Sequence, residues 1–305
     1  MRQTTSSILL IRPAHFGFNE ETALSNSFQQ KNFNRANFHA DAEREFDLLT
    51  KALAEKSIEL TIIEDTPYPV KPDAVFPNNW ISMHADGTVI LYPMCSPNRR
   101  TERRMDVVEK LKERYRVTQL IDFSDWENKN KFLEGTGSMV FDHIHRTAYA
   151  CSSLRTDKNL FLNVCSLLSY KPVFFTALDT QQKEIYHANV MMNIGEKFAV
   201  VCLEAVPSSL ERKTIIDSFA ANEMEIIEIS FQQMMAFPGN MLSVHNNKNE
   251  PFLVISQTAY KTLAANQKEK LSHYASILPV NIPTIESIGG GSARCMMAEI
   301  FLPRL

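Results

Sequence analysis

Short apolar runs recur along this chain, and most of them are introduced by a polar or glycine-containing step. Ile8 to Ile11 is the first such run and predicts a strand. From Asp41 to Lys56 the apolar positions Ala42, Phe46, Leu49 and Leu53 fall at helical spacing, and Ile58 to Ile63 then alternates as a strand does. Prolines between Pro67 and Pro77 break regularity ahead of Asn78-Asn79-Trp80-Ile81-Ser82-Met83, which predicts a further strand. The turn residues Asp86-Gly87 and a strand from Thr88 to Tyr92 complete a hairpin. Pro97-Asn98-Arg99-Arg100-Thr101-Glu102 opens a predicted helix with Met105, Val108 and Leu111 on its apolar face, followed by a strand from Val117 to Ile121. Between the first strand and the first helix, Arg12 to Phe38 is polar and aperiodic. A stretch of that length predicts a functional loop, a candidate lid.

The polar-to-apolar steps repeat. Asn79-Trp80-Ile81-Ser82 is echoed by Gly137-Ser138-Met139-Val140, Asn189-Val190-Met191-Met192, Asn240-Met241-Leu242-Ser243 and Cys295-Met296-Met297-Ala298, at steps of 58, 52, 51 and 55 residues. Five units of hairpin, helix and strand predict a closed, pseudo-symmetric α/β array, because radial repetition protects strand edges that a lone unit leaves open. Evenly spaced strand entrances in such an array surround one central cavity.

Composition narrows the class. The 305 residues are 44% hydrophobic with 19 Phe, enough for a sizeable core, and no linker divides them, so one catalytic domain over 1–305 is expected. A net charge of −3 with interleaved signs offers no footprint for nucleic acid or an anionic membrane, which leaves a small-molecule partner, with self-association open. The apolar core of the first strand is too short for a secretory signal, and no uncharged run approaches a membrane span. Five scattered cysteines without a Cys-x-x-Cys pair suggest neither disulfides nor a zinc site, and point to a reducing cytoplasm.

Three strand entrances carry chemistry. Gly289-Gly290-Gly291 leads through Ser292-Ala293-Arg294 to Cys295 and an apolar run, so a permissive backbone delivers a thiol to the start of a buried strand. Glu134 stands beside Gly135 and Gly137 at the second entrance, and His187 precedes Asn189 at the third. A thiol, an imidazole and a carboxylate form the set needed for nucleophilic catalysis with proton shuttling. Taken singly, each has a plain structural explanation: an inert buried thiol, a turn carboxylate, a core histidine. Their equivalent places in the repeat favour the functional reading. His143-x-His145 after Asp142 would put two imidazoles on one strand face without a third ligand, so no metal and no cofactor are expected. Cys95, Cys151, Cys165 and Cys202 read as packing residues.

The combination Glu134-Gly135-Thr136-Gly137, His187-x-Asn189 and Gly289-Gly290-Gly291-Ser292-Ala293-Arg294-Cys295-Met296 resembles the guanidino-group-modifying, or amidinotransferase, superfamily, which includes arginine deiminase and dimethylarginine dimethylaminohydrolase. Within it the chain is most similar to bacterial hydrolases of citrulline utilisation. The resemblance implies a five-bladed α/β propeller, the pentein fold. It also implies a hydrolase in which Cys295 attacks a guanidino or ureido carbon to form a thiouronium-type intermediate, His187 shuttles protons, and Glu134 grips substrate N–H groups and holds the imidazole. Asp73 becomes a further substrate acceptor. Pro97-Asn98-Arg99-Arg100-Thr101-Glu102 resembles a segment of the dimethylarginine hydrolases that binds the substrate carboxylate, which nominates Arg99 or Arg100. Asn240 heads the fourth entrance, where it either bonds substrate or shapes the turn. Asn78, Asn79 and Asn189 stand where relatives carry acidic residues; the lost charge favours a citrulline-like substrate over an arginine-like one. An amidinotransferase and a non-catalytic binding protein are the alternatives.

Overall fold

The computed structural model describes residues 2–30 and 37–305. Part of the candidate lid, residues 31–36, lies outside them. Among the described residues the strands form five three-stranded sheets, one for each repeat. The first consists of Ile81–Met83, Thr88–Leu91 and Gln119–Asp122, and the second of Met139–Asp142, Thr147–Cys151 and Lys171–Phe175. The third is Met192–Ile194, Phe198–Val201 and Glu225–Glu228, and the fourth Leu242–His245, Pro251–Ser256 and Ser276–Val280. In each the first two strands make an antiparallel hairpin and the third runs parallel to the second. A parallel neighbour demands a crossover, and a helix supplies it each time, as Met105–Lys112 and Lys158–Leu168 do in the first two blades.

The fifth blade joins the two ends of the chain. Ala298–Glu299 pairs antiparallel with Ser7–Arg12, which pairs parallel with Glu59–Glu64 after the helix Phe38–Glu55. Ala42, Phe46, Leu49 and Leu53 of that helix are fully buried, as their spacing predicts. The Phe301 N–H donates to the Met83 carbonyl, so this blade touches the first and the ring closes. This is the five-bladed α/β propeller expected from the repeat.

Local departures have local causes. Asn78 and Asn79 lie in the 3-10 turn Pro77–Asn79, ahead of a strand that starts at Ile81. The helix predicted from Pro97 is a 3-10 turn, Pro97–Glu102, followed by an α-helix at Met105. Arg103 and Arg104 between them are extended and tied to Glu127 and Asp65, and that break rotates Val107 inward while Met105 is 47% exposed. His143 and His145 sit beyond the strand Met139–Asp142, where Asp142 accepts the His145 N–H and turns the chain. His143 therefore bonds the Tyr170 hydroxyl and His145 bonds Asp142, on different sides. Among the described residues no group of three potential metal ligands is found.

Candidate active site

The five strand entrances meet around the pseudo-axis, each tied to the next. The Asn189 amide donates to the Thr136 carbonyl at 3.2 Å, and the Asn240 amide to the Asn189 carbonyl at 2.9 Å. Gly137 leaves no room for a Cβ, which would come within 2.7 Å of the His187 ring. That absence lets the imidazole lie against the neighbouring entrance.

Cys295 is buried in a tight turn rather than in the strand itself; its N–H donates to the Ser292 carbonyl at 2.9 Å. Two amides from two other blades converge on its sulfur, Asn240 Nδ2 at 3.3 Å and Asn189 Nδ2 at 3.6 Å. Burial pushes the thiol up, while the Asn240 amide, the Ser292 backbone, the charge of Arg294 and the Asn189 amide pull the other way. Arg294 is itself turned to Glu299 and the Met297 carbonyl.

His187 Nε2 lies 2.8 Å from Glu134 Oε2, with both residues buried. Burial brings the imidazole down to about 4, against the pull of Glu134. Burial alone would raise the Glu134 carboxyl, but Arg155, His187 and Arg99 outweigh it and hold the group well below the usual carboxylate range. Its other oxygen accepts the Cys95 N–H at 3.0 Å. Glu134 thus has both oxygens engaged by protein and holds the imidazole.

Asp73 is less fully engaged. Its Oδ2 accepts from the Asn19 amide at 2.7 Å, whereas Oδ1 has no partner among the described residues. Burial raises this carboxyl despite the nearby Arg99. Asp73, Asn79, Arg99, His187 and Cys295 line one cavity together with Phe76 and the glycine turn. Arg99 makes a bidentate pair with Glu102 at 2.9 and 2.8 Å and donates to Asn79 Oδ1 at 2.8 Å, so most of its donors are engaged.

Two expected residues stand off. Arg100 turns outward to Glu127 and the Met94 carbonyl. Asn78 lies behind Asn79, whose amide it accepts at 3.0 Å, because consecutive residues of a tight turn point in different directions. Asn189 and Asn240 reach the Cys295 sulfur.

Arg155 was not foreseen. It follows the second strand of the second blade, as Arg99 follows that of the first, and this equivalence was the available signal. Its guanidinium is buried over the Tyr186 ring, 3.5 Å from Glu134 Oε2. Its remaining partners are neutral: the Thr22 carbonyl at 2.9 Å and the Ser25 hydroxyl at 2.7 Å. Thr22 and Ser25 belong to the segment after Asn19, which roofs the cavity and leaves about 10 Å³, room for one water at most.

Comparison with known proteins agrees with this geometry. Residues 12–302 match the family described as N,N dimethylarginine dimethylhydrolase, eukaryotic. No curated protein matches the chain by sequence. Among solved structures, the N-terminal domain of ArgZ, an arginine dihydrolase from the ornithine-ammonia cycle in cyanobacteria, superposes in a Cys-to-Ser variant bound to substrate. The TM-score is 0.76 at 16% identity, over 98% of this chain and 99% of that one. In the apo structure of ArgZ, at 17% identity and a TM-score of 0.76, 98% of this chain matches and spans only 41% of that protein. The DDAH of Pseudomonas aeruginosa, in a Cys-to-Ser variant complexed with citrulline, gives a TM-score of 0.65 at 12% identity over 97% of this chain and 99% of that one. The chain belongs to the N,N-dimethylarginine dimethylhydrolase family, with the pentein fold.

Proposed function

We propose that this protein hydrolyses the terminal C–N bond of an arginine-like guanidino amino acid, with Cys295 as nucleophile. The observation that carries the reading is the convergence on one cavity of a thiol ringed by amide donors, a carboxylate-held imidazole and the unpartnered Oδ1 of Asp73. A planar cation with N–H bonds around it matches a free carboxylate oxygen.

Because ionised Glu134 can only accept, His187 Nε2 carries the proton and the neutral imidazole keeps Nδ1 as its basic nitrogen. The resting thiol is protonated, and a guanidinium over it favours the thiolate by direct attraction. The thiol proton passes to His187 Nδ1 as the sulfur adds to the guanidino carbon. Collapse of the adduct breaks one C–N bond, and His187 delivers the proton that lets ammonia or an alkylamine depart. Water, deprotonated by the same imidazole, adds to the carbon; the C–S bond breaks and a ureido product leaves with the thiol restored. Arg155 is suited to the substrate's α-carboxylate, since its present partners Thr22 and Ser25 are neutral groups that an anion would displace.

A ureido substrate is the second reading. The neutral amides of Asn189 and Asn240 around the sulfur support it, in place of acids that would favour a cation. Purified protein incubated with arginine, its N-methylated forms, citrulline and succinylarginine, followed by product analysis, separates the two. Release of ammonia or methylamine with formation of citrulline is expected. Turnover of citrulline alone would replace the first reading with the second, and no turnover in any arm, with no adduct on Cys295 by mass spectrometry, would remove both.

A further inference from the structure

The turn that carries Cys295 grows out of a distorted helix. Ile285–Gly289 is a π-helical turn, a form that concentrates at functional sites, and it ends at Gly290 in the left-handed region with φ of 67°. Its start is fixed from the last blade: buried Glu45 on the helix Phe38–Glu55 accepts the Thr284 and Ile285 N–H groups at 2.8 to 3.0 Å. Its far end is fixed by Glu286. This carboxyl, 4% exposed, accepts the Ser292 hydroxyl at 2.6 Å, and the Ser292 carbonyl in turn accepts the Cys295 N–H. Ser292 is fully buried, so its hydroxyl would be left without a partner if the carboxyl were removed. The roof segment lands on the same turn: Gln30 N–H bonds the Ser287 carbonyl at 2.7 Å, and the Gln29 side chain bonds that of Ile288 at 3.1 Å.

We propose that Glu286 is a positioning residue: through Ser292 it sets the backbone turn that places the Cys295 sulfur under the Asn240 and Asn189 amides. Its influence on turnover rests on Cys295 being the nucleophile, but its influence on the thiol does not require the substrate to be known. Ångström-scale displacement of a nucleophile is enough to cost about a hundredfold in rate.

The test compares Glu286→Leu, Glu286→Gln and Ser292→Ala in the full chain. For each, kcat and KM are measured on whichever substrate is turned over, and the pH midpoint of Cys295 alkylation by iodoacetamide is followed by peptide mass spectrometry. Glu286→Leu is expected to lower kcat at least about tenfold with little change in KM, and to raise the alkylation midpoint by about one pH unit as the sulfur leaves its amide donors. Glu286→Gln keeps an acceptor for Ser292 and is expected to restore most of both readouts. Ser292→Ala should resemble Glu286→Leu, and the double variant should be no worse than either. The proposal is overturned if Glu286→Leu keeps the parent kcat and midpoint, whether or not its melting temperature falls, or if Glu286→Gln is as impaired as Glu286→Leu. If no substrate is found, the midpoint alone decides.

Discussion

The Asn240 amide donates to the Cys295 sulfur at 3.3 Å and to the Asn189 carbonyl at 2.9 Å, so one neutral side chain ties the third and fourth blades to the thiol of the fifth. Asn240→Asp keeps the shape and replaces a donor with an anion. The thiolate then loses a stabilising N–H and meets a like charge, both of which raise its pKa. Alkylation at pH 8 should slow roughly tenfold, and kcat/KM should fall with it. An unchanged alkylation profile would mean that the amide does not tune the thiol. Residues such as this mark the limit of what the sequence makes legible. Cys295, Glu134 and His187 could be read because glycines or strand entrances flag each of them, within three residues of the aligned entrance in each repeat. The direction of a side chain in a tight turn could not: Asn78 and Asn79 look equivalent in sequence, yet only Asn79 reaches the cavity. Arg155 was missed because Ser152-Ser153-Leu154-Arg155 carries no local signature, and its meaning comes from Glu134 and Tyr186, which are distant in the chain.

At the scale of elements, residues 19–30 lie against the site. The aperiodic stretch Arg12 to Phe38 predicts a functional loop, and Thr22 and Asn26 within it line the cavity. Thr22 bonds Asp73 at 3.3 Å, the Asn26 side chain bonds the Gly290 carbonyl at 3.2 Å, and Arg155 holds the Thr22 carbonyl. The cavity of about 10 Å³ is too small for an amino acid, so on the proposed reading these bonds loosen when substrate enters. Asn26→Ala removes one of them. A hydrogen bond of about 1 kcal/mol corresponds to an opening equilibrium shifted about fivefold, so Cys295 should be alkylated several times faster while its pH midpoint stays fixed. This separates roof opening from the effect expected for Glu286, which moves the midpoint. Unaltered alkylation in Asn26→Ala would show that the segment does not gate the thiol through this contact.

The closed ring buries titratable groups whose protonation is tied to the stability of the whole molecule. Each blade contributes one edge of a polar centre, and three histidines are sealed within it or just beyond it. Burial lowers His84 to about 4, His143 to about 3 and His187 to about 4, from an ordinary value of 6.5. Asp86 opposes the shift at His84 and Glu134 opposes it at His187, while His84 and the charges of Arg294 and Arg146 reinforce it at His143. The sign follows from proton binding. Between pH 6.5 and about 4 the unfolded chain takes up protons at these sites that the folded ring refuses, so the stability these histidines contribute is fully present above pH 6.5 and declines as pH falls through that window. Each histidine contributes at most about 1.4 kcal/mol per pH unit, while buried carboxyls with raised values, Asp73, Glu286 and, at about 7, Glu102, act in the opposite direction over the same range. The histidine contribution is therefore read by difference: melting temperature should fall less between pH 6.5 and 4.5 in His84→Gln, which can still bond Ser82, than in the parent. An equal pH dependence in the parent and in His84→Gln would mean that His84 finds water or a proton partner in the folded ring.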